Sequence, residues 1–374
     1  MTVEPSRLSV AMTVEQLWQS TPGGSGTYIA ELARALAERP DVTLSGIAAR
    51  RSGPAARPLP AGMNVHHSPL PRAALYETWS RLRQRPGARG RSDVLHATTW
   101  AIPRRTAPLA VTVHDLAFLR DPTHFTSRGN TFFRRALAIV RYEADVVVVP
   151  STITAADCAA EGIEAARIRV IHHGVRAPTV TATEEQRFRD ARGLIRPYVL
   201  WCGTLEPRKN LATLLDAYRA LLADAPDLDL VLVGPAGWGS AAADVAARVE
   251  QLPSGRAHLL GQLGEVDLHR AYAGARVFCF PSTWEGFGMP VLEAMAHGVP
   301  VVTSAGTSME EISPQGAILV DPLSADEVAA GLLAAVGPRH DELSAGARAN
   351  AARFTWERAA QLHVEAYRAA LTRV

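Results

Sequence analysis

The chain has 374 residues, which exceeds one ordinary hydrophobic core and suits two domains. Its 39 basic residues include one lysine, Lys209, whose neighbours Pro207-Arg208-Lys209-Asn210 fit neither a Walker A loop nor a Ser-x-x-Lys acylase, so both chemistries are excluded. The charge is distributed unevenly along the chain. Residues 1–180 carry 22 basic and 14 acidic residues (net +8), and residues 181–374 carry 17 basic and 23 acidic residues (net −6), which together give the +2 of the whole chain. This asymmetry favours two domains with different partners.

In the first half, apolar runs alternate with helical patterns. The predicted strands are 8–13, 42–48, 93–97, 109–113, 145–150 and 168–172. The predicted helices are 24–38, 127–143 and 152–161. Strands separated by helices predict a parallel sheet with helices on both faces.

Residues 173–197 break this rhythm and are predicted to form a polar linker with a short helix. The second half then predicts strands at 198–202, 228–233, 257–260, 276–280, 299–303 and 317–320. It predicts helices at 209–223, 240–251, 265–273, 290–297, 324–335, 340–353 and 355–371. We expect an α/β protein with two doubly wound domains, 1–180 and 181–354, and a ligand site in the cleft between their strand ends.

The remaining composition excludes several classes of protein. No apolar run approaches the roughly 18 residues of a membrane helix, and the N-terminus has no signal pattern, so we expect a cytoplasmic location. The widely spaced Cys158, Cys202 and Cys279 favour buried reduced thiols over disulfides or a zinc site. Nucleic acid is not an expected partner, because no zinc-finger, RNP or helix-turn-helix signature occurs.

The most specific motif is Glu285-Gly-Phe-Gly-Met-Pro-Val-Leu-Glu293, which follows a hydrophobic strand and opens a helix. Free amides and the helix dipole make such a turn an anion site. Gly286 and Gly288 allow close approach of a ligand to the backbone. The two glutamates would repel a phosphate unless they accept hydrogen bonds from sugar hydroxyls, so we interpret them as hydroxyl acceptors.

This motif resembles the Glu, seven residues, Glu signature of the retaining GT-B glycosyltransferases of family 4, the glycosyltransferases group 1. The resemblance implies a GT-B fold, two Rossmann-like domains facing a central cleft. It implies that Glu285 contacts the donor sugar and that Glu293 binds the nucleotide ribose. It also implies that the backbone of Gly286, Phe287 and Gly288 holds the donor sugar and its phosphate.

A second motif, Tyr198 to Leu211, has a strand, Gly203 and the adjacent cations Arg208 and Lys209 at a helix start. Two cations neutralise a diphosphate and stabilise the charge that grows as it leaves. The resemblance gives Gly203, Arg208 and Lys209 this donor-binding role.

Two motifs in the first half are less specific. The segment Thr21-Pro-Gly-Gly24-Ser-Gly26 resembles the family's Gly-rich loop, which implies that Gly24 and Gly26 face the donor phosphates and the acceptor. As a dinucleotide fingerprint it lacks the third glycine. In Val111-Thr-Val-His114-Asp115 the resemblance implies that His114 faces the reacting sugar, whereas we expect Asp115 to orient the loop.

Other residues extend or qualify the resemblance. His96 is an alternative to His114, and a structural role is open for both. Leu263 would contact the nucleobase through its backbone, and helix 355–374 would cross back onto the first domain. Asp227-Leu-Asp229 has the form of a metal-binding Asp-x-Asp, but we expect it to be solvated before a strand, and no metal site is predicted.

Residues 72–91 are basic and aromatic. The segment contains six arginines and one acidic residue, Glu77. Four large apolar residues are interleaved with them: Leu75, Tyr76, Trp79 and Leu82. The segment either contacts an anionic membrane or a lipid-linked acceptor or forms a solvated loop, and the sequence leaves both open.

Together these patterns predict a metal-independent, retaining glycosyltransferase without a cofactor. Its partners would be a nucleotide-sugar donor, either GDP-mannose or a UDP-sugar, and a glycan, lipid-linked or small-molecule acceptor. Two alternatives remain: a nucleotide-sugar 2-epimerase of the same architecture, and a non-catalytic protein that binds nucleotide sugars.

Overall fold

The computed structural model describes residues 7–19, 21–50, 53–85, 92–122, 125–235 and 241–373. The chain divides into two compact units, Met1–Gly174 with Thr355–Val374, and Val175–Phe354. The predicted boundary at residue 180 therefore lies six residues too late. The physical reason is packing: a Cβ added to Gly174 would lie 2.3 Å from the backbone nitrogen of Trp356, so this residue closes the first unit.

The first unit contains a parallel sheet of seven strands. They are β1 (Leu8–Thr13), β2 (Val42–Ala48), β3 (Asn64–His67), β4 (Val94–Ala97), β5 (Leu109–Thr112), β6 (Val146–Val149) and β7 (Ile168–Val170). Their order is β3-β2-β1-β4-β5-β6-β7. Strands β4, β5 and β6 are fully buried, which explains their unbroken apolar sequences. The sequence patterns predicted every strand of this sheet except β3, a polar edge strand with no buried residue.

The helices of this unit up to residue 174 are α1 (Gly23–Ala37), α2 (Arg72–Ser80), α3 (Ala117–Arg120), α4 (Ser127–Glu143) and α5 (Thr152–Ala160). Ser151 and Thr126 cap α5 and α4 by accepting backbone hydrogen bonds, as residues of this type do at helix starts. The sequence patterns predicted α1, α4 and α5 but not α2 and α3.

The second unit contains a parallel sheet of six strands. They are β8 (Tyr198–Cys202), β9 (Asp229–Val233), β10 (Ala257–Gly261), β11 (Val277–Phe280), β12 (Val301–Ser304) and β13 (Ala317–Val320). Their order is β10-β9-β8-β11-β12-β13. The helices are α6 (Ala182–Arg192), α7 (Leu211–Leu221), α8 (Ala241–Glu250), α9 (Glu265–Ala273), α10 (Met289–Ala296), α11 (Ser308–Ile312), α12 (Ala325–Val336) and α13 (His340–Ala351). Both units are therefore doubly wound, as predicted.

The last helix, α14 (Trp356–Leu371), belongs to the first unit. A chain of hydrogen bonds fixes it to the sheet and to α1. Its members, with distances of 2.7–2.8 Å, are Tyr367 with His96, His96 with Thr112, Thr112 with Tyr28, Tyr28 with His363, and His363 with the carbonyl of Ala359. All five linked side chains are buried. None of the helices in the described part of the chain is long and apolar enough to span a bilayer.

The direction of each of these hydrogen bonds follows from the last acceptor in the series, the carbonyl of Ala359. The carbonyl of Ala359 can only accept, so Nδ1 of His363 carries the proton and Nε2 accepts the Tyr28 hydroxyl hydrogen. The hydroxyl of Tyr28 must then accept from Thr112, and Thr112 from Nε2 of His96. The remaining nitrogen of His96, Nδ1, accepts the hydroxyl hydrogen of Tyr367. These directions hold for neutral rings, and burial keeps both histidines neutral because it lowers the pKa of His363 to about 4 and that of His96 well below its usual value.

We expect helix α14 to loosen as the pH falls from about 6.5 to about 4. The unfolded chain binds a proton at His363 in this window and the folded one does not, so stability is present at neutral pH and lost on acidification. The loss from His363 alone is about 3 kcal/mol, at 1.36 kcal/mol per pKa unit. Hydrogen-exchange protection factors of α14 at pH 7 and pH 5 measure it, with the histidine-free α4 as internal reference. Unchanged protection of α14 would contradict the neutral network.

Candidate functional site

The two most specific sequence motifs meet at one edge of the second sheet. Residues 203–210 follow β8 and residues 281–288 follow β11. These strands are neighbours at the point where the strand order reverses. In doubly wound sheets, ligands bind outside the carboxyl ends of the strands at this point.

Three charged side chains pair at this edge, and we call them the cation–carboxylate corner: Arg208, Lys209 and Glu285. Nη1 of Arg208 donates to one carboxylate oxygen of Glu285 at 2.7 Å, and Nζ of Lys209 donates to the other. The Lys209 amine also lies 5.0 Å from the centre of the Phe280 ring. Lys209 and Glu285 are both 8% exposed, so the pair is withdrawn from solvent.

Burial and charge oppose each other in this corner. Burial raises the pKa of Glu285, but the charges of Arg208 and Lys209 outweigh it and bring the pKa to about 2. Burial lowers the pKa of Lys209, and the charge of Glu285 counteracts this. Removing one partner of such a buried pair costs about 3–5 kcal/mol, because the other charge is left uncompensated. The two cations thus keep the buried carboxylate of Glu285 ionised.

Backbone contacts hold the two loops together. The Thr283 amide donates to the carbonyl of Arg208 at 2.9 Å, and the side-chain amide of Asn210 donates to the carbonyl of Pro281 at 3.1 Å. Residues 207–209 form one turn of 3₁₀ helix, and Asn210 then takes a left-handed conformation (φ 56°, ψ 40°). Asparagine tolerates this conformation better than most residues. This turn points both cations towards Glu285.

The glycines at this edge are required by close packing. A Cβ on Gly234 would lie 1.7 Å from the carbonyl oxygen of Gly203, so β8 and β9 leave no space there. Gly288 precedes α10 with φ 103°, and a Cβ on it would lie 2.7 Å from Cγ of Met309. Gly286 is buried, and Phe287, at 5% exposure, packs against Phe354. The Phe287 side chain therefore belongs to the core, which leaves only its backbone for a ligand.

Glu293 and Leu263 lie at other points of the same unit. Glu293 is half-buried on α10, and one of its carboxylate oxygens accepts the Tyr272 hydroxyl hydrogen at 2.9 Å. Leu263 is half-buried between β10 and α9 and packs against the core. The structure thus gives Glu293 a fixed partner that the sequence did not indicate.

Three further residues support the site and were missed in the sequence. Glu206 accepts from Nε of Arg208 at 2.9 Å, Ser308 donates to the carbonyl of Glu285 at 2.8 Å, and Tyr272 contacts Glu293. Glu206 stands inside the Lys209 motif and could have been noticed. The other two come from distant segments, so no local pattern could have identified them.

In the first unit, His114 and Asp115 follow β5. Nε2 of His114 donates to the carbonyl of Thr98 at 3.0 Å, which leaves Nδ1 as the acceptor of the ring. Burial lowers the pKa of His114, which keeps the ring neutral. One Asp115 oxygen accepts the Ala117 amide hydrogen at 3.1 Å, so Asp115 orients the loop as predicted.

The alternative His96 is not available for a substrate. It is fully buried, and its two ring nitrogens bond Thr112 and Tyr367. The prediction of a possible site role for His96 is therefore wrong, and its role is to hold α14.

Gly24 and Gly26 lie in the first turn of α1, not in a preceding loop. Gly24 is exposed. Gly26 is buried, and a Cβ on it would lie 2.3 Å from Cβ of Pro22, so packing alone requires this glycine. Contact of either glycine with a donor stays a prediction.

The basic segment 72–91 is partly a helix. Leu75 and Trp79 of α2 are buried in the core, and Leu82 is 68% exposed. Glu77 pairs with three arginines, at 2.7 Å for Arg81 and with the longer contacts of Arg128 and Arg135. Residues 86–91, with two of the predicted arginines, lie outside the described residues. The reading of the segment as a solvated loop is wrong for α2, whose apolar side chains face the protein.

The Asp-x-Asp sequence is also placed differently from the prediction. Asp227 is exposed, but Asp229 is buried and pairs with Arg256 at 3.1 Å and His258 at 3.2 Å. Asp229 is thus not solvated, and it serves as the counter-ion of its neighbours. Within the described ranges, no group of three or more His, Cys, Asp or Glu side chains is arranged to hold a metal ion.

The three cysteines are free thiols. Cys158 and Cys279 are buried, and Cys202 is half-buried at the end of β8. Burial raises the pKa of Cys202 to about 12, which keeps it protonated.

Two family models match the chain. The model "Glycosyltransferase Family 4" matches residues 22–178, and the model "Glycosyl transferases group 1" matches residues 196–337. The first match covers the unit that holds His114, and the second covers the cation–carboxylate corner. Together they span most of the chain.

Curated relatives and solved structures agree with these models. The chain is 31% identical to D-inositol 3-phosphate glycosyltransferase of Geodermatophilus obscurus, over 93% of this chain and 85% of the relative. It is 29% identical to O-antigen chain mannosyltransferase B of Escherichia coli, over 74% of each.

Two solved structures share the fold. The structure of sucrose-phosphate synthase from Thermosynechococcus elongatus has a TM-score of 0.75 at 22% identity, covering 97% of this chain and 98% of that one. Anabaena HepE, in complex with UDP and glucose, has a TM-score of 0.73 at 19% identity, covering 96% and 99%. At these identities the likeness establishes the fold alone. With the family models and the curated relatives, it shows that the chain belongs to family 4 of the glycosyltransferases and is a glycosyltransferase of the GT-B fold.

Proposed function

We propose that the protein transfers a hexose from a nucleotide-diphosphate sugar to an acceptor hydroxyl, with retention of the anomeric configuration. The cation–carboxylate corner carries this proposal. Its cations suit a diphosphate, and the carboxylate of Glu285 suits a sugar hydroxyl. The backbone at Gly203, Gly286, Phe287 and Gly288 would complete the donor site.

In the proposed step, the bond between C1 of the sugar and the diphosphate oxygen breaks, and the diphosphate leaves with the electron pair. The acceptor oxygen bonds C1 on the same face, and the acceptor proton passes to the leaving phosphate. Arg208 and Lys209 stabilise the charge that develops on this phosphate. We propose that these cations and the start of α10 suffice without a metal ion or other cofactor.

The other predicted residues take supporting roles in this proposal. Nδ1 of His114 would accept a hydroxyl hydrogen of the reacting sugar, because its other ring nitrogen is already bonded. Glu293 would bind the ribose, and the backbone at Leu263 the base. The amides at Gly24 and Gly26 would face the phosphates and the acceptor.

The names of two relatives support the proposed classes of substrate. One relative is named for mannose transfer in O-antigen chains and another for glycosylation of inositol 3-phosphate. We propose GDP-mannose or a UDP-sugar as donor, and a glycan, a lipid-linked sugar or a small polyol phosphate as acceptor. The reaction would belong to glycan, polysaccharide or glycolipid assembly in the cytoplasm.

A panel of GDP-, UDP- and dTDP-sugars tests the donor. The true donor raises the melting temperature, because a ligand that binds only the native state stabilises it. We expect the same donor to give a glycosylated product with mannosyl or inositol phosphate acceptors, with the anomeric configuration of the donor in the NMR spectrum. Conversion of the donor to a different nucleotide sugar in the absence of an acceptor would instead indicate an epimerase. A raised melting temperature without any product would indicate a binding protein.

Replacing Lys209 by arginine is expected to lower kcat/KM at least tenfold. The amine is enclosed by Glu285 and the Phe280 ring, and a planar guanidinium needs more space than a compact ammonium. The matched control is Arg219→Lys, an exchange on an exposed ion pair that should change nothing. Wild-type turnover in Lys209→Arg would show that the charge alone matters at this position.

We further propose that the basic face of α2 and α4 contacts an anionic membrane through charge. Arg72 of α2, Arg128 of α4, and Arg81 and Arg85 just after α2 are exposed, while the large side chains of Leu75 and Trp79 on α2 are buried. Binding should be weak and sensitive to salt, because exposed charges are screened within about 8 Å at physiological ionic strength.

Sedimentation with phosphatidylglycerol vesicles measures this contact. We expect binding at low salt that is lost in the double variant Arg81→Glu, Arg128→Glu, and no binding to phosphatidylcholine vesicles. Equal binding of the variant and the wild type would contradict the proposal.

A further inference from the structure

The half-buried carboxylate of Glu293 is anchored by Tyr272, which the sequence did not single out. Tyr272 lies on α9 and is fully buried, and its hydroxyl group donates to one oxygen of Glu293 at 2.9 Å. A carboxylate can only accept, so this direction is certain. One oxygen of Glu293 is thereby fixed on the protein side of the site.

The ring of Tyr272 is held from several sides. It stacks on the imidazole of His297 with an interplanar angle of 12°, and its edge meets Phe278 at a centroid distance of 5.6 Å. Nε2 of His297 is in turn bonded to Nδ1 of His269 at 2.9 Å. A ring confined in this way cannot move its hydroxyl group away from Glu293.

We infer that Tyr272 is a positioning residue for nucleotide recognition, which holds the Glu293 carboxylate in the orientation that accepts the ribose hydroxyl groups. This inference rests on the proposed role of Glu293 as ribose ligand. A glutamate has three rotatable side-chain bonds, and fixing one oxygen removes most of that freedom before the ligand arrives. The oriented carboxylate is the acceptor for the vicinal hydroxyl groups of a ribonucleotide.

The experiment compares Tyr272→Phe with Tyr198→Phe. Tyr198 is fully buried in the same unit, and its hydroxyl group donates only to the backbone carbonyl of Ala271 at 2.7 Å among its described contacts. Both variants lose one buried hydrogen bond and keep the ring, so their melting temperatures should fall by similar amounts. Titration calorimetry then gives the affinities for UDP, GDP and their 2′-deoxy and 3′-deoxy forms.

We expect the wild type and Tyr198→Phe to prefer the ribonucleotide over its deoxy forms, and Tyr272→Phe to lose most of that preference. The affinity of Tyr272→Phe for the ribonucleotide should fall about tenfold, as for the loss of one well-placed hydrogen bond, with the deoxy forms unaffected. KM for the donor sugar should rise with little change in kcat, because the ribose is remote from the reacting carbon.

The outcomes separate the inference from the function on which it rests. An unchanged preference in Tyr272→Phe, beside a wild type that does discriminate, overturns the inference alone. Equal affinity of the wild type for ribo and deoxy forms overturns the role of Glu293 and the inference with it. A drop in kcat as large as the rise in KM would show that Tyr272 acts on the reaction and not on the ribose.

Discussion

The second unit depends on one electrostatic constraint: a buried lysine and a half-buried arginine must both pair with one buried carboxylate at the carboxyl ends of β8 and β11. Each ion alone would lose several kcal/mol of hydration in that position. Mutual pairing offsets this loss and explains why the pKa of Glu285 lies near 2 despite burial. The surrounding backbone, from the left-handed Asn210 to the glycines at 203, 234 and 288, serves to bring these charges together. The positions of both cations are therefore fixed by their pairing with Glu285.

Buried polar side chains have different roles in the two units. In the second unit, the buried charges lie at the sheet edge where a ligand can approach. In the first unit, the buried tyrosines, threonine and histidines form a neutral chain of hydrogen bonds that begins and ends on α14. Because every donor in that chain has one acceptor, it fixes the helix without any charge. This difference explains why His96 has a structural role whereas Arg208, Lys209 and Glu285 suit a reaction.

Most of the fold could be predicted because parallel strands buried on both faces have continuous apolar sequences, as in Val146–Val149. The missed elements have weak patterns: β3 is a polar edge strand, and α2 and α3 are short. The domain boundary was misplaced because the packing of Gly174 on Trp356 joins residues far apart in the chain. Asp229 was misjudged for the same reason, since its partners Arg256 and His258 lie on another segment.

The sequence by itself determined the family, the two doubly wound units and the residue types at the cation–carboxylate corner. Each of these follows from local features of the sequence: the strand patterns, the spacing of Glu285 and Glu293, and the single lysine beside Arg208. Only the tertiary structure decided which of those groups touch. It paired Lys209 and Arg208 with Glu285, joined Tyr272 to Glu293, and assigned His96 to α14. Such pairings join residues 21 to 271 positions apart, and no local pattern can encode which buried partner satisfies a given polar group.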